Sequence, residues 1–135
     1  MKKITSIVLA VLLTLSMVSQ SSFAAMPSEV MPLWDYTDRV AIEFGFYGSV
    51  GEIAINVIGA VNTTFIEAVI VIYRIDGGRY SLVDSIYDST TGSALDVVSE
   101  FDGVNGGEYM AEIVITAYQG DIGEDIEFVK YAICP

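Results

Sequence analysis

The sequence of 135 residues contains no histidine and only one cysteine, Cys134. Without histidine the chain lacks the commonest general base and the nitrogen ligand of most zinc and copper sites, which excludes catalytic dyads and triads built on histidine. A lone cysteine excludes a disulfide within one chain, so packing and hydrogen bonds have to hold the fold. Any catalysis would have to depend on carboxylates.

Basic residues are also scarce, with 6 Lys and Arg against 18 Asp and Glu. From residue 25 onward the chain has four cationic residues against all eighteen carboxylates, hence a net charge of −14. Nucleic acids and anionic membranes attract proteins mainly through Lys and Arg, so we expect this acidic chain to bind neither. A net charge of this size is typical of a small domain, and it keeps the domain soluble.

The first 24 residues have the pattern of a secretory signal peptide. A basic start precedes a short apolar run, and Ser22 and Ala24 occupy the minus-three and minus-one positions of a cleavage site. The run is too short to span a membrane, and no second hydrophobic segment follows it. We therefore expect a cleaved signal at 1–24, an N-terminal extension at 25–36 and a secreted, extracellular domain at 37–135 without membrane contact.

Beyond the extension, apolar residues alternate with polar or small ones, as in half-buried antiparallel strands. “RVAIEFGF” and “EIAINV” show this alternation on either side of “YGSVG”. A four-residue loop at 47–50 would pair Phe46 with Gly51 and Phe44 with Ile53, and would also set Ile42 opposite Ile55. Both apolar sets then lie on one face of the hairpin, as burial requires.

Five more strands are predicted, and no stretch has the period of an amphipathic helix. “DGGR” predicts a two-residue hairpin turn at Gly77 and Gly78. The fold class predicted is all-β, a single seven-stranded antiparallel β-sandwich. Its strands are expected near 38–46, 52–59, 65–75, 79–87, 94–101, 108–119 and 125–133.

Tyr109 follows a glycine-bearing loop in “VNGGEYMAEIVITA”. This stretch resembles the start of the sixth strand in immunoglobulin and fibronectin type III-like domains. The resemblance implies a structural tyrosine whose hydroxyl bonds back to the backbone and fixes a corner.

Several short motifs are similar to those of one protein group. “MPLWD” follows the cleavage site, “FYGSVG” lies at the first hairpin, “YMAEIVITAY” occupies the sixth strand and the chain ends in “CP”. With them the sequence resembles small secreted β-sandwich proteins of unknown function from Gram-positive gut bacteria. The resemblance implies a sandwich and an extracellular location, and no activity. Members usually carry further cysteines in the first hairpin, at places held here by residues such as Val40 and Ile53, which implies that Cys134 lacks a partner.

Parity along the last strand places Cys134 on the inner face, together with Ile126 and Phe128. We expect a buried thiol that acts as a small hydrophobe on the first hairpin, against Val40, Ile42, Ile53 or Ile55. The alternative is an exposed thiol that forms an intermolecular disulfide.

Few residues are candidates for chemistry. Glu43 and Glu52 lie diagonally on the outer side of the first hairpin, where a solvated surface is a simpler interpretation than catalysis. The acidic loops “GDIGED” and “FDGVNGGE” have the composition of calcium loops but not the spacing of an EF-hand, and they also fit ordinary turns. We assign no catalytic, metal-binding or cofactor-binding residue.

The outward residues of the third and sixth strands are unusually apolar. These strands are neighbours in a fibronectin-like sandwich, so their outward residues predict an interaction patch. The six are Val69, Val71, Tyr73, Met110, Val114 and Tyr118. Strict pairing through the Gly77–Gly78 turn would add Leu82 and Ile86 to the patch, whereas a one-residue bulge would turn both inward. The competing interpretation is that loops or the N-terminal extension cover the patch.

The sequence therefore predicts a secreted, non-enzymatic binding or structural module that acts through its surface, on a protein partner or by self-association. A carbohydrate-binding module is an alternative that would need an aromatic platform beside an open groove. A carboxylate-based hydrolase is a more distant alternative, and it would need a carboxylate pair in a concave pocket.

Overall fold

The computed structural model describes residues 34–135, most of which lie in seven β-strands. Strands β1 to β7 are Thr37–Tyr47, Val50–Gly59, Phe65–Asp76, Arg79–Thr91, Ala94–Asp102, Glu108–Gln119 and Ile122–Ile133. They form a three-stranded sheet of order β1-β2-β5 and a four-stranded sheet of order β4-β3-β6-β7, both antiparallel.

The all-β prediction of seven antiparallel strands in two sheets is confirmed, and no helix occurs between residues 34 and 135. This arrangement is consistent with a β-sandwich. The predicted signal peptide at 1–24, and the part of the predicted extension that precedes Trp34, lie outside the described residues.

The first hairpin has the register that its alternating sequence predicts. Phe44 lies opposite Ile53, and the pairs on either side keep the same phase. The turn is shorter than predicted because Tyr47 also pairs with Val50, which leaves two residues at 48–49. The predicted turn between β3 and β4 is confirmed, since both of its glycines have the positive φ that a two-residue hairpin turn requires.

The core lies between the sheets and is built from every second residue of the central strands. Each fully buried isoleucine contributes about 1.5–3 kcal/mol relative to an exposed one. The buried residues of the central strands are Ile53, Ile55 and Val57 of β2, Ile66, Ala68, Ile70 and Ile72 of β3, and Ala111, Ile113, Ile115 and Ala117 of β6, and Leu95, Val97 and Phe101 of β5 complete the core from the edge of the smaller sheet.

Aromatic rings close one end of this core. Tyr109 packs its ring on Phe46 and Phe101, with centroids 5.2 Å and 5.5 Å away. Phe101 lies directly over Gly51, where an added Cβ would clash with the ring. A larger residue at position 51 would therefore displace the ring and loosen this end of the core.

Tyr109 begins β6 and is almost completely buried. Its hydroxyl accepts a hydrogen bond of 2.8 Å from the backbone N–H of Val104, in the loop before the strand. The bond to a backbone group that the sequence predicts is therefore present, and it fastens the loop to the strand that follows.

Strand β4 differs from both predicted arrangements. Tyr73 lies opposite Leu82 while Ile72 lies opposite Asp84, so one extra residue is inserted at position 83. Because this bulge falls between Leu82 and Ile86, Leu82 stays on the outward side whereas Ile86 pairs with an inward residue of β3. Both predicted arrangements had placed Leu82 and Ile86 on the same side of the sheet.

Cys134 is buried, as predicted, but its position differs from the prediction. Its backbone bonds to Gly106 and Gly107, and its sulfur lies 3.7 Å from the carbonyl oxygen of Gly48. Gly48 lies in the turn of the first hairpin. Cys134 reaches it because β7 runs toward that turn before it ends at Ile133. The predicted approach to Val40 is wrong, since Val40 pairs with Val57 near the opposite end of the hairpin.

Candidate interaction surface

The outward positions of the four-stranded sheet form a surface that we call the outer face. Residues paired across strands project on the same side, so each row of the outer face crosses β4, β3, β6 and β7. The predicted neighbours β3 and β6 do pair, and one row consists of Leu82, Tyr73, Met110 and Tyr131. All six residues of the predicted patch, Val69, Val71, Tyr73, Met110, Val114 and Tyr118, lie on this face.

These six residues do not form one exposed patch. Val69 is 39% exposed, whereas Met110 is only 8% exposed because its cross-strand partners Tyr73 and Tyr131 flank it. Tyr118 lies at the far end of the face, where its hydroxyl donates a hydrogen bond to the carboxylate of Glu67. The most exposed apolar groups of the face therefore lie mainly outside the predicted set.

Those groups belong to the two edge strands. They are 50% to 67% exposed, and they are Tyr80, Leu82 and Tyr87 of β4 and Val129, Tyr131 and Ile133 of β7. Of these residues, only Leu82 was considered for the predicted patch. A signal for the β7 residues was present, because the alternation that turns Phe128 inward turns its neighbours outward.

An open groove of about 480 Å³ lies at the end of the outer face that carries Tyr73 and Tyr131, and we call it the tyrosine groove. It is lined by Tyr73, Tyr80, Met110, Glu112, Val129 and Tyr131. The rings of Tyr73 and Tyr80 meet edge to face, with centroids 6.1 Å apart and planes at 80°. Three phenol rings and one carboxylate, carried by four different strands, therefore share one accessible depression.

The outer face is acidic throughout. Between residues 65 and 133 its outward positions carry five carboxylates, Glu67, Glu108, Glu112, Asp125 and Glu127, and no Lys or Arg. The cations of these strands, Arg74, Arg79 and Lys130, occupy positions of the opposite parity. The outward charges around the groove are therefore all acidic, and Glu112 lines it.

A second polar cluster lies at the other end of the face. Tyr118 donates a hydrogen bond of 2.6 Å to Glu67, and Tyr87 donates one of 2.9 Å to the other oxygen of the same carboxylate. The pKa of Tyr118 is raised above its ordinary value, mainly by the hydrogen bond to Glu67 and to a smaller extent by partial burial. The carboxylate accepts from both tyrosines, so it ties β3 to the strands on either side.

The other candidates for chemistry are placed less favourably. Glu43 and Glu52 are diagonal neighbours, as predicted, and they line a shallow, open depression of the three-stranded sheet. Near the start of β7, Glu124 accepts hydrogen bonds from the backbone N–H groups of Asp35 and Tyr36 at 2.6 Å and 3.0 Å. No group of three or more metal-ligand side chains occurs in the part of the chain that the structure describes.

Within residues 34–135, no helix is long and apolar enough to cross a bilayer.

Comparison with known proteins yields distant structural similarity. No family model and no curated protein matches the sequence. Among solved structures, the chain is similar to Spo0M, a sporulation control protein from Bacillus subtilis, with 10% identity and a TM-score of 0.41. The match covers 73% of this chain and 50% of the Spo0M chain, so this protein spans about half the length of that structure. At this level of similarity we draw no conclusion from it about function.

Proposed function

We propose that this protein is a secreted, non-enzymatic module that binds its partner through the outer face, centred on the tyrosine groove. The observation that carries this proposal is the concentration of exposed tyrosine and aliphatic side chains on the edge strands beside the groove. Large apolar groups that stand together on a domain surface usually mark an interaction site. Tyrosine is enriched at such sites because it joins a large apolar ring to a polar hydroxyl. The signal-like pattern of residues 1–24 supports export.

We also propose that the sandwich is of the immunoglobulin and fibronectin type III-like kind. Its division into three and four strands supports this, together with the bond between Val104 and the tyrosine that begins β6.

The geometry around the best carboxylate pair favours binding over catalysis. A glycosidase needs one carboxyl group whose pKa is raised by an apolar pocket. Glu43 is exposed and Glu52 is half-buried on an open surface, an environment that supplies no such pocket.

Carbohydrate is the second candidate partner, because one specific observation favours it. Tyr80 and Tyr131 offer exposed rings in one open groove, and Glu112 provides an acceptor for hydroxyl donors. Exposed rings beside an open groove support this candidate, because a carbohydrate-binding module requires an aromatic platform.

Binding to panels of soluble polysaccharides and immobilised peptides tests the proposal. The wild type should be compared with a Tyr80→Leu/Tyr131→Leu double variant and with Tyr47→Leu, which removes an exposed tyrosine from the other sheet. We expect binding to at least one class that the double variant loses and the Tyr47 variant keeps. Binding that survives in the double variant would place the site elsewhere, and the absence of any binding would contradict a binding module.

A further inference from the structure

We infer that the tyrosine groove binds a cationic side chain, and that its occupant is a basic, arginine-containing segment of a partner polypeptide. This inference rests on the proposed binding function of the outer face and names the class of partner. Its basis is charge complementarity: five outward carboxylates face the partner, and the sheet's own cations occupy positions of the opposite parity. A neutral ligand would make no use of this field, whereas a cation is attracted by it.

The groove also has the local chemistry that a guanidinium group requires. Tyr73, Tyr80 and Tyr131 present aromatic rings, and a cation over a ring face is attracted by the quadrupole of the ring. Glu112 stands among them and can accept two parallel hydrogen bonds from arginine. Arginine combines ring stacking with bidentate binding of carboxylates, which lysine does not.

The arrangement of carboxylates fits an extended polypeptide rather than a single small cation. Glu108 and Glu112 lie on either side of Met110 along β6, and Glu127 is the next outward carboxylate on β7. Outward positions on one strand are about 7 Å apart, so Glu108 and Glu112 each lie about 7 Å from the row through Met110, within reach of arginine side chains of a peptide that crosses the strands. The row through the groove crosses four strands, about 14 Å, the length of four or five extended residues.

A second copy of the chain is a poorer occupant of the same surface. In a twofold dimer through the outer face, the same patch meets itself, so carboxylates would oppose carboxylates. Such like-charge contacts are unfavourable unless a cation intervenes. Exposed Leu82 and Ile133 can instead contact the aliphatic residues of a different chain.

Calorimetric titration with matched peptides tests the inference. The probe is an extended peptide of about eight residues, long enough to cross the sheet, with arginine at alternate positions. Its control is the same peptide with citrulline, which has the shape of arginine without the charge. The protein variants are Tyr131→Leu and Glu112→Gln in the groove, matched by Tyr47→Leu and Glu52→Gln on the other sheet. Thermal unfolding of each variant verifies that it is folded.

We expect the arginine peptide to bind and the citrulline peptide to bind at least tenfold more weakly. Each groove variant should weaken binding by about 2- to 5-fold, the effect of one exposed cation–π contact or ion pair. The matched variants should leave the dissociation constant unchanged. Raising the salt from about 50 mM to about 500 mM should weaken binding further, since exposed charges are screened.

Several outcomes would overturn the inference while leaving the proposed binding function intact. If the arginine and citrulline peptides bound equally well, and the groove variants lost that binding, the groove would bind peptides without selecting charge. Groove-dependent binding of a polysaccharide, without peptide binding, would assign the site to carbohydrate. If Glu52→Gln weakened arginine-peptide binding as much as Glu112→Gln, the attraction would be a diffuse effect of net charge and not a site.

Discussion

The hydroxyl of Tyr109 accepts a hydrogen bond of 2.8 Å from the backbone N–H of Val104, within a cluster of aromatic rings. Replacing Tyr109 with Phe leaves the ring in place and orphans that N–H. We expect a loss of about 1 kcal/mol in the free energy of unfolding, measured with urea. Tyr47→Phe is the matched control because Tyr47 is largely exposed. Equal stability of Tyr109→Phe and wild type would contradict a structural role for the hydroxyl.

Substitution of Glu124 tests how residues 34–36 are held against β7. Its carboxylate accepts the N–H groups of Asp35 and Tyr36, and the neighbouring Trp34 packs edge to face on Phe128, with centroids 6.2 Å apart. Glu124→Ala should release this segment and expose the indole. Since Trp34 is the only tryptophan, its fluorescence emission should shift to longer wavelength.

Glu127→Ala is the control for this experiment, because it truncates an outward glutamate of the same strand. An emission spectrum that Glu124→Ala leaves unchanged would show that ring packing alone holds the segment.

The pair formed by Tyr118 and Glu67 predicts a dependence of stability on alkaline pH. The pKa of Tyr118 is raised in the folded protein above the ordinary 10.0, chiefly by its hydrogen bond to Glu67. The folded state therefore holds this proton more tightly than the unfolded state does. The stabilisation that the pair adds to the free energy of unfolding is complete below pH 10.0. It is lost as the pH rises through the higher pKa of the folded state.

Urea unfolding of wild type and Tyr118→Phe, from about pH 9 to about pH 11, measures this loss. We expect the stability difference between the two proteins to shrink as the pH rises. In a spectrophotometric titration, Tyr118→Phe should also remove one phenol that ionises above the ordinary range. A difference that stays constant over this window would contradict the assignment.

Burial of Cys134 predicts a thiol of low reactivity. The side chain is 1% exposed, and its backbone is bonded to Gly106 and Gly107. A water-soluble disulfide reagent should modify it slowly in the native protein and rapidly in urea, since reaction requires access to the thiolate. Non-reducing electrophoresis should show a monomer. A covalent dimer that Cys134→Ser abolishes would instead support the exposed alternative.

Self-association through the outer face is open to a separate measurement. Facing carboxylates should oppose it, so we expect light scattering to show a monomer at low salt, where repulsion is least screened. Val71→Lys places a cation beside Glu112 in the middle of the face and serves as the test variant. A low-salt dimer that Val71→Lys disrupts would make a second copy the occupant of this surface.

Local alternation was sufficient to predict much of the fold. The pairing of Phe44 with Ile53 follows from placing both apolar sets on one side of a hairpin, and the structure has it. The bulge at position 83 could not be predicted in this way. Leu82, Val83 and Ile86 are all apolar, so no alternation specifies which of them faces the core.

The candidate surface was predicted only in part, for a different reason. Outward residues of β3 and β6 could be combined because the two strands were expected to be neighbours. Tyr80 and Tyr131 lie on strands that are distant in sequence, and they share the groove only because β4 and β7 form the two edges of one sheet. Such proximity depends on the order of strands, which short sequence patterns do not encode.

Because Tyr80 and Tyr131 stand on opposite edge strands, the groove is a discontinuous site that no linear fragment of the chain reproduces. Its occupant would recognise only the folded domain, and by linkage it would stabilise that domain against unfolding. At a ligand concentration about 100 times the dissociation constant, this stabilisation would be about 2.7 kcal/mol. A sandwich without a disulfide would then be more resistant to heat and proteases when its partner is bound than when it is free.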